Sequence, residues 1–276
     1  MAEKGAQELN NNLPLYYVPS HRPGKMSLES DIKSRIARAC RVLGKMELTR
    51  ALRGHISARI PGSERIFIRA RGPAESGVRY TTEDEVVEIG LDAKPVAGMP
   101  KGLRTPSEVF IHTAIFRARP EVNAVLHLHP PMVVLFTIVG APLLPIYGAY
   151  DPQGLGIALE EPPVYEKSVL IDTPELGREL SATIGAKRAC LMRGHGITTA
   201  ADSIEEASVI ALGLNELATM NYQARMLGTP RPISQEDRGA LQPAMKRLTA
   251  PGSKPGEPGD SVVTEWRYYC RLTGEI

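Results

Sequence analysis

The chain alternates strand-like and helix-like segments, and this predicts an α/β fold. Three observations carry the prediction. Ile56 to Ile60 and Arg65 to Arg69 each alternate apolar and polar residues around Pro61-Gly62-Ser63, the pattern of two strands joined by a turn. Apolar residues recur at helical spacing between Leu28 and Leu52 (Ile32, Ile36, Ala39, Leu43), so a helix is expected there, ended by Gly54. Beyond residue 105, helix-start signals and short apolar runs take turns.

Taken in order, Val86 to Leu91 reads as a strand. Thr105-Pro106-Ser107-Glu108 has the form of a capping box with Pro at the first helical position, opening a helix to about Arg117. Val122 to His129 reads as a strand stopped by Pro130-Pro131, with a shorter helix and a strand following to Ile146. Val169 to Asp172 reads as a short strand, and Pro174 starts a helix reaching Ile184. Ala189 to Met192 is a strand entering the Gly194-His195-Gly196 turn. Ser203-Ile204-Glu205-Glu206 is a second capping box, opening a long helix to about Leu227.

These boundaries divide the chain into an N-terminal arm at 1–26, a catalytic domain at 27–230 and a loosely structured extension at 231–276. Pro251 to Gly259 has linker composition. The aromatic-rich end (Trp266, Tyr268, Tyr269) is expected to pack on the domain or on a neighbouring subunit.

Composition narrows the function classes. Lys plus Arg number 33 against 31 Asp plus Glu, a net charge of +2, so no basic field points to nucleic acid. Cys40, Cys190 and Cys270 are odd in number and far apart, which argues against a disulfide framework and for a reducing compartment. The apolar run Met132 to Val139 is too short to span a bilayer, and no apolar leader follows Met1, so the expected setting is cytoplasmic, without a membrane partner.

The strongest chemical signal is His127-Leu128-His129. Strand side chains alternate faces, so these two imidazoles project together, about 7 Å apart along the strand. Asn123 and Val125 share their face; Ala124, Leu126 and Leu128 take the other. Such a pair also occurs as ordinary surface or core histidines. His195, flanked by two glycines directly after a strand, adds a third imidazole on a backbone able to turn sharply. Three imidazoles suit a catalytic metal that keeps open positions for substrate. Glu108 has a structural reading as the residue that completes a capping box with Thr105 and a chemical one as ligand or acid/base. His112 lies one helical turn on and reads as packing or support.

These segments together resemble the class II aldolase and adducin-head family. The resemblance rests on Leu103 to Glu108, His112, Arg119 to Val122, Val125 to Pro130 and Arg193-Gly194-His195-Gly196, with Gly54 to Arg59 similar to the family's Gly-Asn-x-Ser-x-Arg segment. It covers about residues 28 to 227. It implies a three-layer α/β/α fold with a central mixed sheet. It also implies a divalent metal (Zn, Mn, Fe or Co) on His127, His129 and His195, Glu108 as acid/base, and a homo-oligomer, commonly a tetramer, whose sites borrow residues from the adjacent subunit.

The sequence departs from the family's sugar-phosphate aldolases where those bind phosphate. Gly54-His55 stands in place of Gly-Asn, Arg71-Gly72 in place of Ser-Gly or Thr-Gly, and Pro106-Ser107 in place of Ser-Ser. Arg69 and Arg71 project from one strand face, and guanidinium suits planar carboxylates, although surface ion pairing explains such arginines equally well. The pattern resembles the subgroup that decarboxylates hydroxylated aromatic or pyridine carboxylates. The expected substrate contacts are His55, Ser57, Arg69, Arg71, Ser107 and Tyr150. Tyr147, Tyr165, Trp266 and Tyr269 are further pocket candidates that also suit plain packing. Two alternatives stay open: an aldolase acting on a hydroxy-keto acid or sugar-derived substrate, and a non-catalytic adducin-like module.

Overall fold

The structure is a computed structural model that describes residues 27–248 and 260–275. The N-terminal arm and the Pro/Gly-rich stretch 251–259 lie outside the described residues.

Seven strands form one mixed sheet in the order β3-β2-β1-β4-β7-β6-β5. They are β1 (His55–Arg59), β2 (Arg65–Arg69), β3 (Val86–Gly90), β4 (Ala124–Leu128), β5 (Val164–Tyr165), β6 (Ala189–Met192) and β7 (Gly196–Ala201). All neighbours are antiparallel except β5 and β6. Eight helices are present among the described residues: α1 (Leu28–Lys45), α2 (Val109–Ala118), α3 (Pro131–Val139), α4 (Pro152–Glu160), α5 (Pro174–Ile184), α6 (Ile204–Leu227), α7 (Gln235–Leu248) and α8 (Asp260–Leu272).

Strand alternation sorts the apolar residues into two cores. Ile56, Ala58, Ala124, Leu126, Leu128 and Ile197 pack with α1, α3, α4, α6 and α8 on one face. Ile66, Ile68, Val125, Cys190, Met192 and Ala200 pack with α2 and α5 on the other. A period-two strand must divide its residues this way when both faces are covered, so the sheet is the middle of three layers. α6 runs through the larger core, its residues 207 to 214 all buried, and its start is capped by Ser203, whose Oγ accepts from the Glu206 amide at 3.1 Å.

Several boundaries differ from the sequence reading. α1 ends at Lys45 rather than near Leu52; Glu47 and Ala51 take positive φ, and the chain turns through 46–53 before Gly54 feeds β1. No strand forms at 141–146, because the Asn221 side chain accepts from the Leu144 amide (3.0 Å) and donates to its carbonyl (2.9 Å), taking the place of a ladder. Val169 to Asp172 is not a strand either, since the Ile171 amide is bound to Glu108. α4, β5, β7, α7 and α8 were absent from the sequence reading. In α8 the spacing of Val262, Trp266 and Cys270 buries one stripe against α6, placing Trp266 in the core rather than at a pocket wall.

Candidate metal centre

One end of the sheet gathers five histidines and a carboxylate. His55 opens β1 and pairs in register with His127 near the end of β4. His129 follows one residue after β4, where Pro130 and Pro131 turn the chain into α3. His195 sits in the tight turn between β6 and β7, its amide donating to the Met192 carbonyl at 3.0 Å. Gly194 takes φ +60 there, a conformation that favours glycine. The turn is held from two sides: the Gly194 amide donates to Thr137 Oγ1 (3.1 Å), and the Ser168 hydroxyl donates to the Arg193 carbonyl (2.8 Å).

Glu108 corrects the capping reading. It occupies the position before α2, but its side chain caps nothing. The carboxylate turns into the cluster instead, with Oε1 accepting from the Ile171 amide at 3.1 Å and lying 3.4 Å from His195 Nε2. Oε2 is 3.5 Å from His127 Nε2 and 4.0 Å from His55 Nε2. Burial pushes this carboxyl up, but the His195 hydrogen bond, the neighbouring imidazoles and the Ile171 amide outweigh it and hold Glu108 down to about 2.

The donor set fits a divalent ion. Glu108, His127, His129 and His195 each offer one ligand atom, and these atoms all lie within 4.8 Å of one another. His127 Nδ1 faces the Ile197 carbonyl at 3.0 Å. A carbonyl only accepts, so Nδ1 carries the hydrogen and Nε2 turns a lone pair inward, as a metal-ligating histidine requires. His129 Nε2 lies 2.8 Å from that nitrogen. His195 turns Nε2 toward the same cluster, 3.4 Å from Glu108 Oε1, while its Nδ1 is buried without a hydrogen-bond partner. Three nitrogens and one carboxylate suit the borderline divalent metals.

Burial lowers His127 well below its ordinary value and lowers His129 to about 4 and His112 to about 3. These rings are therefore neutral at pH 7, the ligand form. Their protonation sets a pH prediction for chelator-treated protein. Histidine titrates near 6.5 when unfolded, so protons bind the unfolded chain first as pH falls. The contribution of these imidazoles to stability is expected to be flat above pH 7 and to decline from about 6.5 toward 4, a slope that Glu265, raised by burial to about 7, opposes only in part. A thermal midpoint independent of pH over that window would contradict it.

Gly196 shows how closely these segments approach. A Cβ there would run into the Leu128 carbonyl and come within 2.9 Å of the His129 ring. Gly196→Ala is expected to cost about 1–3 kcal/mol and to loosen metal binding by displacing His129. Thermal unfolding and metal titration of the variant check this.

The remaining expected site residues divide. His55 and Ser57 are buried beside the cluster. Arg69 is a correction: it is fully buried, its guanidinium donating to Glu75 Oε2 (2.6 Å), Thr81 Oγ1 and the Leu52 and Gly54 carbonyls. With its donors committed to the protein, it fastens the segment leading into β1 rather than meeting a substrate. Arg71 shares Glu75 at 3.0 Å but keeps about a quarter of its side chain exposed, and its charge bears on His55 and His129. Arg53, missed in the sequence, also bears on His129. Ser107 is exposed on the turn before α2. Tyr150 stands apart, its hydroxyl donating to Glu216 at 2.9 Å and its ring packed on Tyr147. Tyr147 contacts Asp151, and Tyr165 contacts Glu179.

Residues 34–222 match the family model described as Class II Aldolase and Adducin N-terminal domain. The chain belongs to this family. Among curated class II aldolase relatives, it is 38% identical to a 3,4-dihydroxyphthalate decarboxylase of Arthrobacter keyseri over 195 residues, 70% of this chain and 78% of that protein. It is also 38% identical to a protein of the same name from Rhodococcus jostii, over 70% of this chain and 81% of the relative. An aldolase II superfamily protein from Pseudomonas syringae superposes with a TM-score of 0.76 at 23% identity, covering 90% of this chain and 94% of that one. That likeness shows the class II aldolase fold, the mixed sheet between helical layers. No described helix is long and apolar enough to cross a membrane.

Proposed function

We propose that this protein is a carboxy-lyase that removes carbon dioxide from a hydroxylated aromatic carboxylate with the help of a divalent metal. The observation that carries this is the joined one: a buried His127–His129–His195–Glu108 donor set in a chain 38% identical to two dihydroxyphthalate decarboxylases. His127, His129 and His195 would hold the ion. When bound, it supplies a Lewis acid for the substrate's oxygens and for the charge left as carbon dioxide departs. Zn, Mn, Fe and Co all suit the donors.

The chain's own groups do the rest. Glu108, protonated when substrate is bound, delivers a proton to the ring carbon in place of the departing carboxylate; a dianionic substrate raises this carboxyl's proton affinity by like-charge repulsion. Arg71, with Arg53, supplies positive charge for a second carboxylate, and His55 and Ser107 face the substrate side. A second subunit is expected over the site. Leu135, Ile138 and Val139 of α3 and Val169 and Leu170 of the nearby loop are exposed apolar residues beside the His195 turn, a patch of the kind that marks an interface. Residues 27–230 would form the catalytic domain of each subunit.

The test is carbon dioxide release by metal-loaded protein from a panel of ortho-hydroxylated aromatic dicarboxylates. Release is expected from at least one. Absence of release, in protein holding about one metal per chain, would move the reading to an aldolase on hydroxy-keto acids.

A further inference from the structure

Behind the metal donors lies a row of hydrogen bonds that the reaction as described does not use. His55 Nδ1 is 2.6 Å from His112 Nε2, and His112 Nδ1 is 2.6 Å from Ser57 Oγ. Ser57 Oγ also reaches the Val125 carbonyl at 3.3 Å. His112 and Ser57 have no exposed surface, and His55 has almost none. His112 comes from α2, His55 and Ser57 from β1, and Val125 from β4, so the row ties both sides of the site together.

The end of this row decides the direction of every bond in it. The Val125 carbonyl can only accept and is approached by both the Ser57 hydroxyl and His112, an arrangement served best when His112 Nδ1 carries the hydrogen and the Ser57 oxygen accepts from it. A neutral His112 with hydrogen on Nδ1 has a bare Nε2, so His55 Nδ1 must donate to it. A neutral His55 with hydrogen on Nδ1 has a bare Nε2, and that atom faces the centre, 4.0 Å from Glu108 Oε2. The reverse direction gives up the Val125 bond. Two acceptors thus face each other across a gap that only a donor can bridge.

We propose that Ser57 and His112 are positioning residues that lock His55 in the Nδ1–H tautomer, so that its Nε2 accepts the hydrogen of a substrate hydroxyl and rejects groups that cannot donate. Ser57 is then not a substrate contact. The assignment deepens the decarboxylase reading and rests on it for the identity of the donor, a phenolic hydroxyl. The tautomer itself does not depend on that reading.

The chain has six histidines, few enough for imidazole nitrogen signals to be assigned in full-length, histidine-labelled protein in its metal-free and zinc-loaded forms. The wild type is expected to show His55 with a protonated Nδ1 and a bare Nε2. Ser57→Ala removes the lock and is expected to give a mixture of tautomers; Ser57→Thr, which keeps the hydroxyl, is expected to retain one. In turnover, kcat/KM for an ortho-hydroxy substrate over its ortho-methoxy analogue is expected to be on the order of 10² or more in wild type, since a buried acceptor left unpaired discriminates strongly. The ratio is expected to fall about tenfold in Ser57→Ala and to hold in Ser57→Thr. A purely structural serine would lower both substrates alike. A wild-type His55 protonated on Nε2, or a tautomer and ratio unchanged in Ser57→Ala, would overturn the proposal. No turnover of either substrate, with the locked tautomer observed, would instead remove the decarboxylase reading and with it the phenolic donor.

Discussion

His195→Ala is expected to lose nearly all bound metal and to lower activity by about 10³-fold or more, the equivalent of ~4 kcal/mol of charge stabilisation. His195 is the proposed ligand whose removal is expected to disturb the fold least. It sits in a turn whose neighbours are held through backbone groups, by Thr137 and Ser168, so the turn survives without the ring. His127→Ala should lose as much activity but also breaks the bond to the Ile197 carbonyl in a strand with no exposure, so its loss mixes chemistry with folding. The measurement is metal content per chain beside turnover, with thermal unfolding as the control. Metal retained at the wild-type level with activity intact would remove His195 from the ligand set.

The second large effect is on stability. Glu75→Gln is expected to destabilise the protein by about 3–5 kcal/mol, because it leaves a buried guanidinium without its counter-charge. Arg69 is 0% exposed and Glu75 only 3%, and Glu75 also accepts from Arg71 Nε (3.0 Å) and the Gly72 amide (3.2 Å). A glutamine would turn an N–H toward one of these donors. Against a total stability of roughly 5–15 kcal/mol this is a large fraction, and it lowers the thermal midpoint by roughly 6–20 °C. The paired change Arg69→Met with Glu75→Leu is expected to be milder than Glu75→Gln alone, because it removes both charges. A single variant with an unchanged midpoint would show that the pair contributes little.

What the sequence made legible follows from the range of the forces involved. The β1–β2 turn, the start of α6 and the common facing of His127 and His129 depend on neighbours a few residues apart, and the backbone periods expose them. The local pattern at Glu108 leaves a capping role and a chemical role open together; what decides against the cap, the Ile171 amide, lies 63 residues away. Asn221 satisfying Leu144 hid a missing strand for the same reason, across 77 residues. Arg69 and Arg71 look equivalent in the sequence, two residues apart, and only the position of Glu75 and Thr81 separates the buried one from the partly exposed one. The His55–His112–Ser57 row was beyond reach: His112 was read as support, yet its partner could be found only once α2 was laid against β1.

The backbone bonds around the donors bear on how the centre acquires its ion. Ile197 orients His127, Ile171 holds Glu108, and Thr137 and Ser168 hold the turn that carries His195. None of these bonds involves a metal, so stripping the ion with a chelator is expected to leave His127, Glu108 and the His195 turn in place. Refilling is then a matter of entry and ligand exchange rather than refolding. A scaffold already set in this way leaves the choice among similar ions to whichever is most available, so the metal in the isolated protein would record its growth medium as much as its sequence.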